Sequence, residues 1–76
     1  MYMELHICDK VVTKNGLYEI RGLNPLKGYN EFNGAIENIL ETDIANIPLD
    51  TYKELLKMGK ENALKKIFDE YPEICL

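Results

Sequence analysis

The chain has 76 residues, a formal net charge of −4 and 46% hydrophobic residues, a composition that favours one small folded domain over intrinsic disorder. No apolar run approaches the roughly 20 residues of a membrane-spanning helix, and the N-terminal residues lack the basic region of a secretory signal. The two cysteines, Cys8 and Cys75, are too few for the disulfide framework of a secreted mini-protein. We therefore expect one cytoplasmic domain over residues 1–76, with no cofactor.

Residues 2–21 show the alternation of a β-hairpin with strands at about 2–13 and 17–21. Asn15 and Gly16 predict a two-residue type I′ turn, because both central positions of that turn require a positive φ. This register pairs Thr13 with Tyr18, and it buries one face of the hairpin while the other faces solvent. Asp9 falls on the apolar face and indicates a bend or bulge that divides the first strand into 2–8 and 10–14. The predicted buried face comprises Met3, Leu5, Ile7, Val11, Thr13, Tyr18 and Ile20, whereas Glu4, His6 and Glu19 are expected to be exposed.

Two amphipathic helices are predicted after the hairpin, at about 31–41 and 49–70. The first follows Asn30 as N-cap, and the second lies between Pro48 and Pro72. Gly59 interrupts the apolar stripe of the second helix. Three interpretations stay open there: close helix contact, a kink, or a break into helices 50–58 and 60–70. The order ββαα predicts an α+β fold in which both helices cover one face of a small antiparallel sheet.

Acidic residues are concentrated in the middle of the chain, where no lysine or arginine occurs between Lys27 and Lys53. Such a region would complement a basic surface on another protein, giving faster association and a defined orientation. A merely solvated face, or internal pairing with the lysines of the last helix, would explain the same residues. The residues predicted to bind a partner are Glu31, Glu37, Glu41 and Asp43.

His6 and Cys8 lie two residues apart on a predicted strand, so their side chains would point the same way. Cys75 and Asp9 could complete a metal site with them, but the closely spaced ligand pairs of structural zinc sites do not occur in the sequence. A Cys/His nucleophile would also need a third group to orient the histidine. We therefore predict no metal site and no enzyme.

A continuous helix over residues 49–70 would be about 33 Å long, as wide as a domain of this size. Part of its apolar stripe would then stay uncovered, which favours a twofold dimer, although a kinked monomer satisfies the same pattern. Its lysines alternate with acids, and together with the negative net charge this argues against direct binding of nucleic acid. The residues predicted to self-associate are Tyr52, Leu56, Gly59, Ala63 and Phe68.

In its small size, its acidity and its lack of catalytic motifs, the chain resembles the small inhibitors encoded by bacteriophages and mobile elements, anti-CRISPR and anti-restriction proteins among them. The resemblance implies inhibition of a nucleic-acid-processing or defence enzyme by surface occlusion, and it assigns no residue a role. We accordingly predict a small acidic protein-binding module. One alternative is an antitoxin-like homo-oligomeric subunit, and another is a small enzyme or metal site using His6 and Cys8. The antitoxin-like subunit would contact nucleic acid through Lys53, Lys57, Lys60, Lys65 and Lys66.

Overall fold

Five short strands form one antiparallel sheet, and two helices follow it in the chain. A computed structural model of the protein describes residues 4–74, so the predictions for Met3 and Cys75 lie outside the described residues. The strands occur in the sheet in the order β4-β3-β2-β1-β5. This arrangement confirms the α+β class. The elements are β1 (Lys10–Thr13), β2 (Gly16–Leu23), β3 (Leu26–Asn30), β4 (Ile36–Asn38), β5 (Ala45–Asn46), α1 (Leu49–Met58) and α2 (Lys60–Glu70), with 3-10 turns at Glu41–Asp43 and Pro72–Ile74.

Each face of the sheet carries its own apolar core. On the face that the helices cover, which we call the helix face, Val12 and Leu17 pack against both helices. On the opposite face, which we call the loop face, the core is closed by the segment between β4 and β5 and by Leu5. The helices supply Tyr52, Leu55, Ala63 and Ile67 to the first core, and the second core contains Val11, Tyr18, Ile20 and Ile44 with Ile39 packed against it.

The hairpin forms, but its register differs by two residues from the predicted one. Val11 lies opposite Tyr18 and Thr13 opposite Gly16, so the turn residues are Lys14 and Asn15. Cys8 is the only described non-glycine residue with a positive φ, which excludes a type I′ turn at Asn15. The hydroxyl of Thr13 instead accepts the Asn15 N–H at 2.9 Å. A shift of two residues preserves which side chains share a face.

The prediction of which hairpin face the helices cover was wrong. The helices lie on Val12 and Leu17 rather than on the face of Val11 and Ile20. Both faces are buried, because the chain between β4 and β5 covers the side that the helices leave open. Buried and solvent-exposed side chains were expected to alternate along β1, but Val11, Val12 and Thr13 are all buried.

The first strand was predicted to begin near residue 2, but residues 4–9 are irregular, with a turn at Ile7 and Cys8. The Asp9 carboxylate accepts the backbone N–H of His6 at 2.9 Å, and Cys8 adopts a φ of 75°. Ile7 is consequently 50% exposed, contrary to the prediction. Glu4 and His6 are exposed as expected.

The predicted helix over residues 31–41 was wrong. The Asn30 side-chain oxygen accepts the backbone N–H groups of Phe32 and Asn33, and Gly34 follows with a φ of 73°. These contacts turn the chain back, so that β4 pairs antiparallel with β3. Asparagine favours such a turn because its side chain replaces a backbone acceptor.

The predicted helix over residues 49–70 is broken at Gly59, which confirms the third interpretation of that glycine. Gly59 has φ 86° and ψ 164°, a conformation that is essentially restricted to glycine. The two helices are about 15 and 16 Å long, well short of the 31 Å longest dimension of the protein. The premise of one helix spanning the molecule was therefore wrong. Within residues 4–74 no helix is long and apolar enough to cross a membrane.

Candidate protein-binding surface

A network of polar side chains on the loop face fixes the hairpin of β3 and β4. The Tyr18 hydroxyl donates to the Glu37 carboxylate at 2.5 Å, and the buried Asn30 amide donates to the Tyr18 oxygen at 2.9 Å. The Asn33 amide donates to the second oxygen of Glu37 at 2.9 Å. Burial and the Glu37 bond raise the pKa of Tyr18 to about 12. The donors, Tyr18 first, lower the pKa of Glu37, so the carboxylate is ionised near neutral pH.

On the helix face, Glu31 is held by a second phenol. The Tyr52 hydroxyl donates to the Glu31 carboxylate at 2.5 Å, and burial followed by this bond raises the pKa of Tyr52. The Lys10 ammonium lies 5.4 Å from the centre of the Tyr52 ring and also bonds Glu19. Glu31 therefore supports the attachment of α1 to the sheet.

Arg21 and Tyr29 form a pair on the part of the helix face near β4. The Arg21 guanidinium lies 4.8 Å from the centre of the Tyr29 ring and donates to Glu19 at 2.7 Å. The bonds from Lys10 and Arg21 lower the pKa of Glu19. Ile36 lies opposite Tyr29 in the sheet and is 52% exposed.

The turn that follows β4 presents an exposed apolar side chain between acids. Leu40 is 67% exposed, and the 3-10 turn Glu41–Asp43 follows directly. Among residues 4–74, neither acid of this turn has a side-chain hydrogen bond or ion pair. Beside it lies a groove of about 200 Å³, lined among others by Lys14, Tyr18 and Asp43.

The four acids predicted to bind a partner thus separate into two groups. Glu41 and Asp43 share one turn with solvent-accessible carboxylates. Glu31 and Glu37 belong to opposite faces of the sheet and accept internal hydrogen bonds. In the predicted helix over residues 31–41, Glu37 and Glu41 would share one exposed side, but no helix forms there.

The residues predicted to self-associate do not share one surface. Tyr52 and Ala63 are buried in the core of the chain itself, whereas Leu56 and Phe68 are 39% and 53% exposed. Gly59 lies between the two helices. The dimer stays a prediction, carried by the two exposed side chains alone.

The described ion pairs of Lys66 and His6 join residues that are close in the chain. Lys66 lies 3.9 Å from Glu70, and His6 lies 3.3 Å from Glu4 and 3.8 Å from Asp9. Cys8 is exposed and lines a shallow groove of about 470 Å³. No group of three metal-ligating side chains occurs among residues 4–74.

One structural feature was missed by sequence reasoning: β4 is an edge strand of the sheet. The signal that could have revealed it is the dipeptide of Asn33 and Gly34, which resembles the one used to place the first hairpin. Comparison with known protein families, curated proteins and solved structures finds no match to this chain.

Proposed function

We propose that the protein is a small binding module that occupies a basic surface of another protein and blocks access to it. The observation that carries the proposal is the exposed Leu40 beside the two unpartnered carboxylates of Glu41 and Asp43. An inhibitor of a nucleic-acid-processing or defence enzyme is the most specific form of this proposal, because carboxylates can occupy positions where such an enzyme binds phosphate.

The arrangement of this turn supports the proposal energetically. Burying an exposed leucine against a partner contributes roughly 1.5–3 kcal/mol, while acids at the rim mainly raise the association rate and select the orientation. Beyond the turn, no lysine or arginine follows until Lys53. A basic partner therefore meets no competing positive charge from residues 28–52, and Lys14 is the lysine that lines the groove beside the turn.

Charge reversal tests the proposal. The protein would be immobilised and exposed to lysate of its host cells at low and high salt, and the captured proteins would be identified and quantified. Retention of the partner should fall at least about tenfold in the double variant Glu41→Lys/Asp43→Lys, most strongly at low salt, because exposed charges act over about 10 Å at 0.1 M ionic strength.

A matched control distinguishes the effect of these two residues on binding from the effect of the change in net charge. Glu54→Lys/Glu61→Lys makes the same change in charge on the exposed surfaces of α1 and α2, and it should retain the partner within about threefold. Equal loss in both double variants would contradict the proposal. Retention on a DNA column that depends on Lys53 and Lys57 would favour the antitoxin-like alternative instead.

A further inference from the structure

β4 is an edge strand of the sheet. The backbone N–H and carbonyl groups of successive residues in β4 point alternately towards β3 and away from it. The Asn30 N–H donates to the Ala35 carbonyl at 2.9 Å, and the Ile39 N–H donates to the Leu26 carbonyl at 3.1 Å. Because hydrogen-bonded pairs alternate along an antiparallel ladder, the intervening Glu37 directs its backbone groups inward, towards β3.

The neighbours of Glu37 consequently direct their backbone groups outward. Ile36 and Asn38 each present one N–H and one carbonyl at the edge, and no described strand lies beyond β4. Both residues are exposed. Such an edge is a ready template for an additional strand.

We propose that an extended segment of the partner protein adds to β4 as a sixth strand, with a lysine or arginine directly opposite Glu37. This inference rests on the proposed function, since it specifies how the basic partner is held. The backbone groups of Ile36 and Asn38 supply the hydrogen bonds, and Glu37 selects the charge of the incoming residue.

Charge favours another protein over a second copy of this chain as the occupant. If two copies paired antiparallel so that Ile36 met Asn38 of the copy, all outward groups would be used, but the two Glu37 side chains would lie side by side. Like charges directly opposite each other destabilise a pair of strands, and opposite charges stabilise it. Glu37 is ionised and fixed by Tyr18 and Asn33, so it cannot avoid a facing acid by rotating away without losing these bonds.

The helix face indicates the chemistry of the residues on either side of the basic one. Successive side chains of a strand alternate between faces, so these neighbours would lie opposite Ile36 and Asn38 on the helix face. Exposed Ile36 beside the ring of Tyr29 favours a β-branched or aromatic neighbour. The structure therefore fits a strand in which a basic residue is adjacent to an apolar residue that lies opposite Ile36.

A capped synthetic peptide of sequence TVKVT is the direct probe. On its addition, NMR should show that the backbone amide protons of Ile36 and Asn38 exchange with solvent at least about tenfold more slowly, because they become donors in a new ladder. The matched peptide TVEVT should bind about threefold to tenfold more weakly, since its glutamate faces Glu37. TVKVT with both valines N-methylated has lost the donors of the new ladder and should not slow the exchange.

Two variants of one residue separate the backbone from the side chain. Ile36→Pro removes an outward N–H, which an edge strand tolerates, and should weaken binding of TVKVT at least about tenfold. Ile36→Thr retains the N–H and a β-branched side chain, and it should bind within about threefold.

The outcomes distinguish this inference from the proposed function. The inference is overturned if TVKVT leaves the exchange of Ile36 and Asn38 unchanged, or if its N-methylated form slows it equally. The proposed function fails separately, if the charge reversal of Glu41 and Asp43 behaves like its control. Slowed exchange on β5 in place of Ile36 and Asn38 would also overturn the inference, because it would place the added strand at the other edge of the sheet.

Discussion

Residues 31–41 and residues 49–70 carry nearly the same apolar periodicity, yet only the second region is helical. In the second region, Tyr52, Leu55, Ala63 and Ile67 reach one core from two helices. In the first region, the side chain of Asn30 binds the backbone of the following turn, and the segment joins a sheet instead.

The difference indicates that the turn formed by Asn30 prevailed over the helical periodicity of residues 31–41. Helix nucleation is costly, and a buried asparagine that satisfies two backbone N–H groups stabilises the competing turn. Each region also contains a glycine with a positive φ. Gly34 ends the turn before β4, which the sequence analysis did not predict, whereas Gly59 ends α1, and a break there was among the predicted alternatives.

Replacing Asn30 should have the largest effect on the first region. Asn30→Ala removes the acceptor for Phe32 and Asn33 and the donor to Tyr18, at a buried position. We expect the free energy of unfolding to fall by about 2–4 kcal/mol, measured by urea denaturation. Asn33→Ala, an exposed control in the same turn, should cost about 1 kcal/mol. A similar small cost for both would show that Asn30 does not determine the turn.

Gly59→Ala tests the break between α1 and α2, because a broken and a continuous helix predict opposite signs for the change in the free energy of unfolding. Alanine is strained at φ 86° and ψ 164°, although nothing lies within 4 Å of the added methyl group, so the cost is conformational. We expect a loss of about 1–3 kcal/mol in the free energy of unfolding. A continuous helix would instead gain about 1 kcal/mol, because alanine is the better helix former. Glu61→Ala serves as a control on the exposed surface of α2.

Tyr52→Phe measures how much the hydrogen bond between Tyr52 and Glu31 contributes to the free energy of unfolding. Loss of the phenol removes the hydrogen bond to Glu31 but keeps the ring in the core, and we expect a loss of about 1 kcal/mol. Tyr71→Phe is the control, because the described contacts give its phenol no hydrogen bond, and it should change stability little. Equal effects in the two variants would contradict a role for Glu31 in holding the helix.

The phenol of Tyr18, which donates to Glu37 of the first region, should cause a loss of stability at high pH. Its pKa is about 12 in the folded chain and about 10 in an unfolded one. The fold therefore favours the protonated phenol, and this contribution is complete below about pH 10 and is lost as the pH rises through 12. Urea denaturation between these values should show a smaller decline for Tyr18→Phe. An unchanged decline would contradict the burial of the Tyr18 phenol and its hydrogen bond to Glu37.

The sequence predicted the α+β class, the first hairpin and the break option at Gly59, because each depends on local patterns of side chains. It could not predict which face the helices cover, since Val11 and Val12 are both buried and alternation gives no preference. That Glu41 and Asp43 share one turn could be anticipated, because only one residue separates them in the chain. The dipeptide of Asn33 and Gly34 could have indicated a hairpin at β4, but not that β4 lies at an edge, because strand order depends on pairing between residues distant in the chain.

Hydrogen exchange of the free protein, measured by NMR, tests whether residues 36–38 form an edge strand open to a partner. An edge strand there should give alternating protection: slow exchange for the amides of Glu37 and Ile39, and fast exchange for those of Ile36 and Asn38. A helix over residues 31–41 would protect Ile36, Glu37, Asn38 and Ile39 alike. Uniform protection of these four amides would show that no open edge strand exists there.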